Sequence, residues 1–302
     1  MQELTLYHNA GAGGDGPSEK ELISMIEECG FKCRLSSSTS VKDKEIREAD
    51  FIVIAGGDGT VRKLTKELLD KKINSTKPPI ALLPLGTANN IAKTLNITGE
   101  PIDIIRSWQN SKLKKFDVGI LDDDDEDQDS FFLESFGYGM FPYLMLEMQK
   151  HKEKNLEPGE KMQKALEILH QILLSYPSKD CSLIIDGKDH SGKFLLVEIM
   201  NTRSIGPNLF LSPQGDPGDG IIEVVVVPVH DKDKFASYVS KKIGGIEEDY
   251  QFQTIKASDK ISISWDGTHV HIDDEIVKLN KSDNVNISFR KGLLQFLIPQ
   301  HV

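Results

Sequence analysis

The chain has 302 residues, 38% of them hydrophobic and 27% charged, and a formal net charge of -11. Such a length accommodates two domains or one large one around a buried core, with the composition of an ordinary soluble protein. The acidic balance excludes a phosphate-backbone binder, and so a nucleic-acid partner, as well as a constitutive polybasic membrane anchor.

Leu4-Thr5-Leu6-Tyr7 reads as a short strand ending at His8-Asn9. A glycine-rich turn, Ala10 to Pro17, precedes a helix that Ser18 can cap, with Leu22, Ile23 and Ile26 on one face. Gly30 stops that helix, Phe31 to Leu35 form a second strand, and a Ser/Thr cluster at Ser36 to Ser40 leads to a short charged helix. Phe51 to Ala55 are all apolar, as in a strand buried on both faces of a parallel sheet. Gly56-Gly57-Asp58-Gly59 follow, and Thr60 opens a helix carrying Val61, Leu64 and Leu68 that ends near Lys72. Pro79 to Leu83 give a further strand, then Pro84-Leu85-Gly86-Thr87-Ala88-Asn89-Asn90 and a helix with Ile91, Ala92 and Leu95. This alternation through about residue 110 predicts a parallel, helix-covered sheet. Ligands on such sheets bind at the carboxyl ends of the strands, where the loops at Asn9, Gly56 and Gly86 converge.

The pattern changes near Lys114. Phe116 to Ile120 is strand-like, and the acidic run Asp122 to Asp129 reads as a solvated hairpin tip rather than a cation site. Phe131 to Gly139 is one strand, and Phe141 to Tyr176 is helical with a break around Asn155 to Gly159. Its Leu/Met/Ile stripes are core, or the lining of an acyl-chain pocket. From Cys181 onward the chain is β: Ser182–Ile185, Phe194–Met200, Ile221–Val229, Lys260–Trp265, His269–Ile272, Val285–Phe289 and Leu293–Ile298. Turns at Asp186-Gly187, Asp219-Gly220 and Asp266-Gly267 separate them. The expected fold class is therefore an α/β domain with a parallel sheet, residues 1–115, followed by an all-β antiparallel sandwich-like domain, residues 116–289. The tail, about 290–302, is expected to pack back on the first domain.

Cys29, Cys33 and Cys181 form no disulfide framework and suggest a reducing compartment. The N-terminus enters a strand at once, without a signal peptide, and no apolar run nears the ~20 residues of a spanning helix. The expected location is cytoplasmic, with peripheral contact at a membrane. His269 and His271 share a strand face as zinc ligands do, but lack further Cys or His partners, so a solvated face is expected.

A strand running through glycines into a helix start is an anion-binding device, because phosphate can approach bare backbone N–H groups and the helix field is favourable. Asp58 would repel phosphate, and makes sense if a divalent cation or a reacting proton sits between them. The alternative is a tight turn with a capping aspartate.

FIVIAGGDGT, ALLPLGTANNIAKTL, Gly218-Asp219-Gly220 and Ile272-Asp273-Asp274-Glu275 resemble, in that order, the diacylglycerol kinase catalytic-domain family of bacterial lipid kinases and sphingosine kinases. GGDGT alone is shared with NAD kinases and phosphofructokinases; PLGTANN and the all-β half look like the lipid-kinase branch. Three departures stand out: the first loop is Asn9-Ala10-Gly11-Ala12-Gly13 without the family's proline, GTxND is Gly86 to Asn90, and Asp-Gly-Glu is Asp273-Asp274-Glu275.

The resemblance implies ATP and Mg²⁺ in a cleft between a nucleotide-binding and a lipid-binding domain. It implies that Asn9, Gly11, Gly13, Thr39, Gly56, Gly57, Asp58, Gly59, Thr60, Gly86, Thr87 and Asn89 serve the nucleotide, with Asp58 orienting Mg²⁺. It further implies a structural cation at Asp219 with Asp216 and the Ile221 carbonyl, where a Pro/Gly-rich hairpin turn is the plain alternative. Glu275, helped by Asp273, is expected as general base: two residues apart on a strand they face together, unless the segment is a turn. Asp58→Ala is expected to leave the fold intact, since a loop aspartate contributes little to a core. The function implied is an ATP-dependent lipid kinase acting on a diacylglycerol-like or sphingoid hydroxyl at a transient membrane surface, and a homodimer is compatible with it. An NAD-kinase-like phosphotransferase and an inactive nucleotide- or lipid-binding module are the competing readings.

Overall fold

The computed structural model describes residues 1–9, 16–36, 48–70, 77–122, 130–150, 158–248 and 250–300. Gly11, Gly13, Thr39, the charged helix expected after Ser40, acidic residues 123–129 and most of the break expected near Asn155 lie outside them. The chain divides into two compact units, Met1–Phe116 with Lys291–Val302, and Asp117–Arg290.

The first unit alternates strands and helices. Its elements are β1 (Glu3–His8), α1 (Glu19–Glu28), β2 (Lys32–Leu35), β3 (Phe51–Gly56), α2 (Asp58–Asp70), β4 (Ile80–Pro84), α3 (Asn90–Thr94) and α4 (Pro101–Ser107). The sheet order is β2-β1-β3-β4, and every pair is parallel. All six residues of β3 are buried, as its unbroken apolar run requires at the centre of a covered sheet. Helix α1 starts at a capping box, in which the Ser18 hydroxyl accepts the Glu21 N–H and the Glu21 carboxylate accepts the Ser18 N–H. It stops at Gly30, whose φ of 84° suits glycine. Phe31, Phe51 and Trp108 meet edge to face at centroid distances of 5.7 to 5.8 Å and close the bottom of the unit.

Strand β5 (Ser111–Asp122) carries the chain into the second unit. There follow β6 (Ser130–Phe132), β7 (Ser135–Gly139), α5 (Met140–Lys150), α6 (Pro158–Ser175), β8 (Lys179–Ile185), β9 (Lys188–Asp189), β10 (Gly192–Met200), β11 (Ser204–Ile205) and β12 (Leu209–Phe210). Then come β13 (Ile222–Pro228), α7 (Lys232–Ile243), β14 (Gln253–Ala257), β15 (Lys260–Trp265), β16 (His269–Ile272), β17 (Glu275–Lys278) and β18 (Asn284–Pro299). The registered pairs within this unit are antiparallel, including β10 with β13, β7 and β8. Strand β10 is the fork. One edge pairs with β13; the other is shared between β8 at residues 192–194 and β7 at residues 196–200. A register shift at Phe194/Leu196 accompanies the fork, as a bulge does where a sheet turns. One apolar core, with Phe132, Phe136, Leu183, Val197, Ile263 and Trp265, fills the sandwich; a second packs Leu196 and Met200 under α5, α6 and α7.

Several expectations need correction. Helix α7 interrupts the run of strands expected from Cys181 onward: Phe235, Tyr238 and Val239 recur at helical spacing and are all buried. Strands β14 and β17 were not expected either. Residues 131–139 form two strands instead of one, and the two strands expected between Val285 and Ile298 are a single β18. Gly292, at a φ of 61°, lies within that strand. The final part of β18 pairs in parallel with β4, Phe296 opposite Ile80, within the first unit. The stripes of α5 and α6 are core, with Met140, Phe141, Leu144, Leu166, Leu169 and Leu173 all in the second cluster.

Phe51→Ala removes the ring at the centre of the first unit's aromatic trio. We expect it to cost about 3–5 kcal/mol in urea unfolding; a loss within about 0.5 kcal/mol, the range of surface substitutions, would contradict the packing described.

Candidate functional site

In the first unit Asn9, just after β1, and the loops after β3 and β4 meet at the carboxyl edge of the sheet. The Asn9 N–H donates to the Ala55 carbonyl at 3.0 Å, and its side-chain amide donates to the Thr60 hydroxyl at 3.0 Å. The Leu85 N–H donates to the Gly56 carbonyl at 3.1 Å. Between the second and third loops backbone meets backbone. A β-carbon on Gly57 would stand 3.1 Å from the Gly86 Cα, and one on Gly86 would collide with the Gly57 Cα and sit 2.8 Å from Asn89 Oδ1. A β-carbon on Gly56 would meet the Thr60 hydroxyl at 2.6 Å. Gly86 therefore needs glycine for close approach, not only for flexibility, and Gly56 and Gly57 leave little room for a β-carbon.

Asn89 holds the third loop from inside. Its φ is 52°, a left-handed value that Asn tolerates better than most residues. Its Oδ1 accepts the Gly86 N–H at 3.0 Å, while its amide donates to the carbonyls of Gly86 at 2.7 Å and Pro84 at 3.2 Å. Asp58 ties this loop to α2. Its two carboxylate oxygens accept the N–H groups of Asn90 at 2.9 Å and Ile91 at 3.1 Å, so it caps α3 from the preceding motif. The bland reading of a capping aspartate is thus correct as far as it goes, with the cap on the neighbouring helix. Asn90 and Ile91 are buried, which corrects the expectation that Asp58→Ala leaves the fold untouched. Half-buried Lys93 has its ammonium pKa lowered by burial, against the opposing pull of Asp58. Gly59 and Thr87 lie exposed at this edge.

In the second unit, Asp273-Asp274 is the two-residue turn between β16 and β17, with Ile272 opposite Glu275. Asp273 is buried at a φ of 52°. Its carboxylate accepts the N–H groups of Leu133 at 3.0 Å, Glu134 at 2.8 Å and Ser135 at 3.2 Å, and its own N–H donates to the Ser135 carbonyl at 2.8 Å. Glu275, the first residue of β17, is exposed. Of the two geometries left open by the sequence the turn is the one adopted, and the two carboxylates are not a shared-face pair. Asp274 lies outside the left-handed region, so the glycine of the family turn is not required there.

The loop at residues 216–221 is braced by local bonds: Asp216 accepts the Gly218 N–H at 3.0 Å and Asp219 the Ile221 N–H at 2.8 Å. Asp117 clasps it, accepting the Gly220 N–H at 2.9 Å and donating its own N–H to the Pro217 carbonyl. The sequence reading missed Asp117, whose signal was a lone carboxylate inside the apolar run Phe116 to Ile120. Burial raises the nearby Glu223 carboxyl, and the charge of Asp219 adds to that. The Asp216, Asp219 and Ile221 donors are all oxygen, which suits Mg²⁺ or Ca²⁺ rather than zinc. Among the described residues no group of three or more His, Cys, Asp or Glu side chains is placed to hold a metal.

The expected solvated face at His269 and His271 is also corrected. His271 is buried, and its Nε2 lies 2.8 Å from an oxygen of Glu198, itself fully buried. Burial pushes the Glu198 carboxyl up. For His271, burial works downward, but the charge and hydrogen bond of Glu198 outweigh it and hold the imidazole above its ordinary value.

Residues 4–121 match the family model of the diacylglycerol kinase catalytic domain, and residues 149–278 that of the YegS C-terminal NAD kinase beta sandwich-like domain. The diacylglycerol kinase of Bacillus subtilis (strain 168) is 22% identical over 267 residues, covering 82% of this chain and 83% of that protein. The crystal structure of a diacylglycerol kinase from Bacillus anthracis str. Sterne superposes with a TM-score of 0.71 at 19% identity, covering 98% of this chain and 97% of that one. An NAD kinase from Archaeoglobus fulgidus in complex with ATP shares the fold more distantly, with a TM-score of 0.53 at 14% identity over 99% of this chain and 94% of that one.

Asp58→Ala leaves two buried N–H groups at the start of α3 without their acceptor. We expect a loss of about 1–3 kcal/mol in urea unfolding, with faster hydrogen exchange at Asn90 and Ile91. Unchanged exchange at those amides would show that Asp58 does not brace the loop.

Proposed function

The chain belongs to the diacylglycerol kinase catalytic-domain family, and we propose that it is an ATP-dependent lipid kinase, transferring the γ-phosphate to the hydroxyl of a diacylglycerol-like or sphingoid lipid. The observation that carries the nucleotide half is the backbone contact of Gly57 with Gly86, a cradle that a β-carbon on either glycine would crowd. Glycines at such a junction leave main-chain N–H groups open to phosphate at the start of α2. Gly56, Gly57, Gly59 and Gly86 form the cradle; Asn9, Thr60, Thr87 and Asn89 supply or fix its polar groups; and the same role extends to Gly11, Gly13 and Thr39. An ATP-complexed NAD kinase with this fold supports the choice of nucleotide.

Phosphoryl transfer asks the protein mainly for positioning and charge neutralisation. Asp58, with both oxygens engaged by backbone N–H groups, positions the loops and would orient Mg²⁺, directly or through water. When bound, Mg²⁺ neutralises charge on the phosphates; Asp216, Asp219 and the Ile221 carbonyl would hold a second, structural cation. Glu275 takes the proton of the acceptor hydroxyl as its oxygen bonds to the γ-phosphorus. The bond from that phosphorus to the bridging oxygen breaks, and ADP leaves. The Asp273 carboxylate is already committed to three backbone N–H groups. Its part is to anchor the turn that begins β17.

Among the described residues no helix is long and apolar enough to cross a membrane; in the proposed reaction the acceptor is met at a membrane surface. Labelled ATP with Mg²⁺, incubated against a panel of lipids and NAD, should yield labelled lipid. Labelled NAD without labelled lipid would replace this reading with the soluble phosphotransferase, and no labelled product with retained ATP binding would replace it with an inactive module. Glu275→Gln should lower kcat by ~10²–10⁴-fold with ATP binding little changed, and Asp274→Gly should be tolerated. A full kcat in Glu275→Gln, lost instead in Asp273→Asn, would move the base to Asp273.

A further inference from the structure

The buried pair Glu198 and His271 has no part in the chemistry above, and its geometry leads to the acceptor-side turn. Across neighbouring strands, Glu198 on β10 stands opposite Gly137 on β7, and Gly137 stands opposite His271 on β16. The middle residue has to be glycine, because a β-carbon there would run into the Glu198 carboxylate. The carboxylate thus lies across a whole strand to reach His271 Nε2 at 2.8 Å. On the other side of the ring, Nδ1 lies 3.1 Å from the Asp273 carbonyl. A carbonyl only accepts, so Nδ1 carries a proton and donates it, and a further proton is held between Nε2 and Oε2. The chain of bonds therefore runs from Glu198 through His271 to the main chain of Asp273, whose φ is 52° and whose carboxylate holds residues 133–135.

The surroundings are apolar. Phe141 meets the His271 ring edge-on at 6.3 Å, and Leu196 and Met200, two residues either side of Glu198, belong to the core under the helices. Glu198 Oε1 has no hydrogen-bond partner among the described residues. A buried, half-satisfied polar pair is a poor way to gain stability, since well-packed apolar residues of similar size generally do as well or better. The gain is in fixing a conformation.

Building on the lipid-kinase reading, we propose that Glu198 and His271 are positioning residues that lock the Asp273-Asp274 turn and so set the place of Glu275 for proton abstraction. Glu198→Met combined with His271→Leu replaces the pair with apolar side chains. The double variant should unfold in urea at or above the wild-type midpoint. Even so, hydrogen exchange at the amides of residues 133–135 and Asp273 should speed up. With displacements near 1 Å able to cost about 10²-fold, kcat should fall by one to two orders of magnitude while the KM for ATP stays level. Glu198→Gln, nearly isosteric, repeats the test if the double variant does not fold, with a kcat loss of about tenfold for one weakened bond. Wild-type kcat, or wild-type exchange at those amides, in a folded variant overturns the proposal. If the unmodified protein transfers phosphate to no lipid, it is the kinase reading that fails, and the exchange measurement alone then decides whether the pair locks the turn.

Discussion

Two glycine backbones in contact, Gly57 against Gly86, are the constraint from which the first unit's site follows. Strands β3 and β4 run side by side in parallel, so their carboxyl ends deliver both loops to one place. Side chains at those positions would force the loops apart, and the Asp58 carboxylate then closes the gap from α2 to α3. A carboxylate next to the proposed phosphate site is unfavourable by itself. Here its charge is already spent on two N–H groups at a helix start, which lessens that repulsion.

The same device recurs in the second unit. Asp186 at a φ of 48° accepts the N–H groups of Ser258, Asp259 and Lys260, and Asp273 at a φ of 52° accepts those of residues 133–135. In each case an aspartate at a hairpin turn, in a conformation few residues accept readily, uses its side chain to tie the turn to a distant segment. The exposed Asp186 carboxyl is held below its ordinary pKa: burial works upward, and the backbone N–H bonds prevail. Turns fastened in this way are rigid places from which to present a neighbouring residue, which is the use proposed for Glu275.

Much of the first unit was legible because its signals are local. Five apolar residues at Phe51 to Ala55, glycines after them and a capping serine at Ser18 each fix backbone conformation within a few positions. The second unit was harder because its logic is cross-strand. Nothing in the sequence near His271 announces Glu198, 73 positions away, and the glycine that makes room for their bond sits on a third strand. Helix α7 was missed for a different reason: its three buried residues lie among seven charged or polar ones, which dilute the apolar stripe. Asp58 shows the limit in the other direction. Its place in the motif was plain, but its acceptor role at α3 depends on the register of two strands.

The most direct test of the account is calorimetric titration of ATP with Mg²⁺ into the wild-type chain and the Gly86→Ala variant. The account predicts binding by the wild type and a loss of at least tenfold in affinity in the variant, equivalent to about 1.4 kcal/mol, as the added β-carbon collides with the Gly57 backbone. Equal affinity in the two proteins would contradict it, and would move the nucleotide away from the junction of these loops.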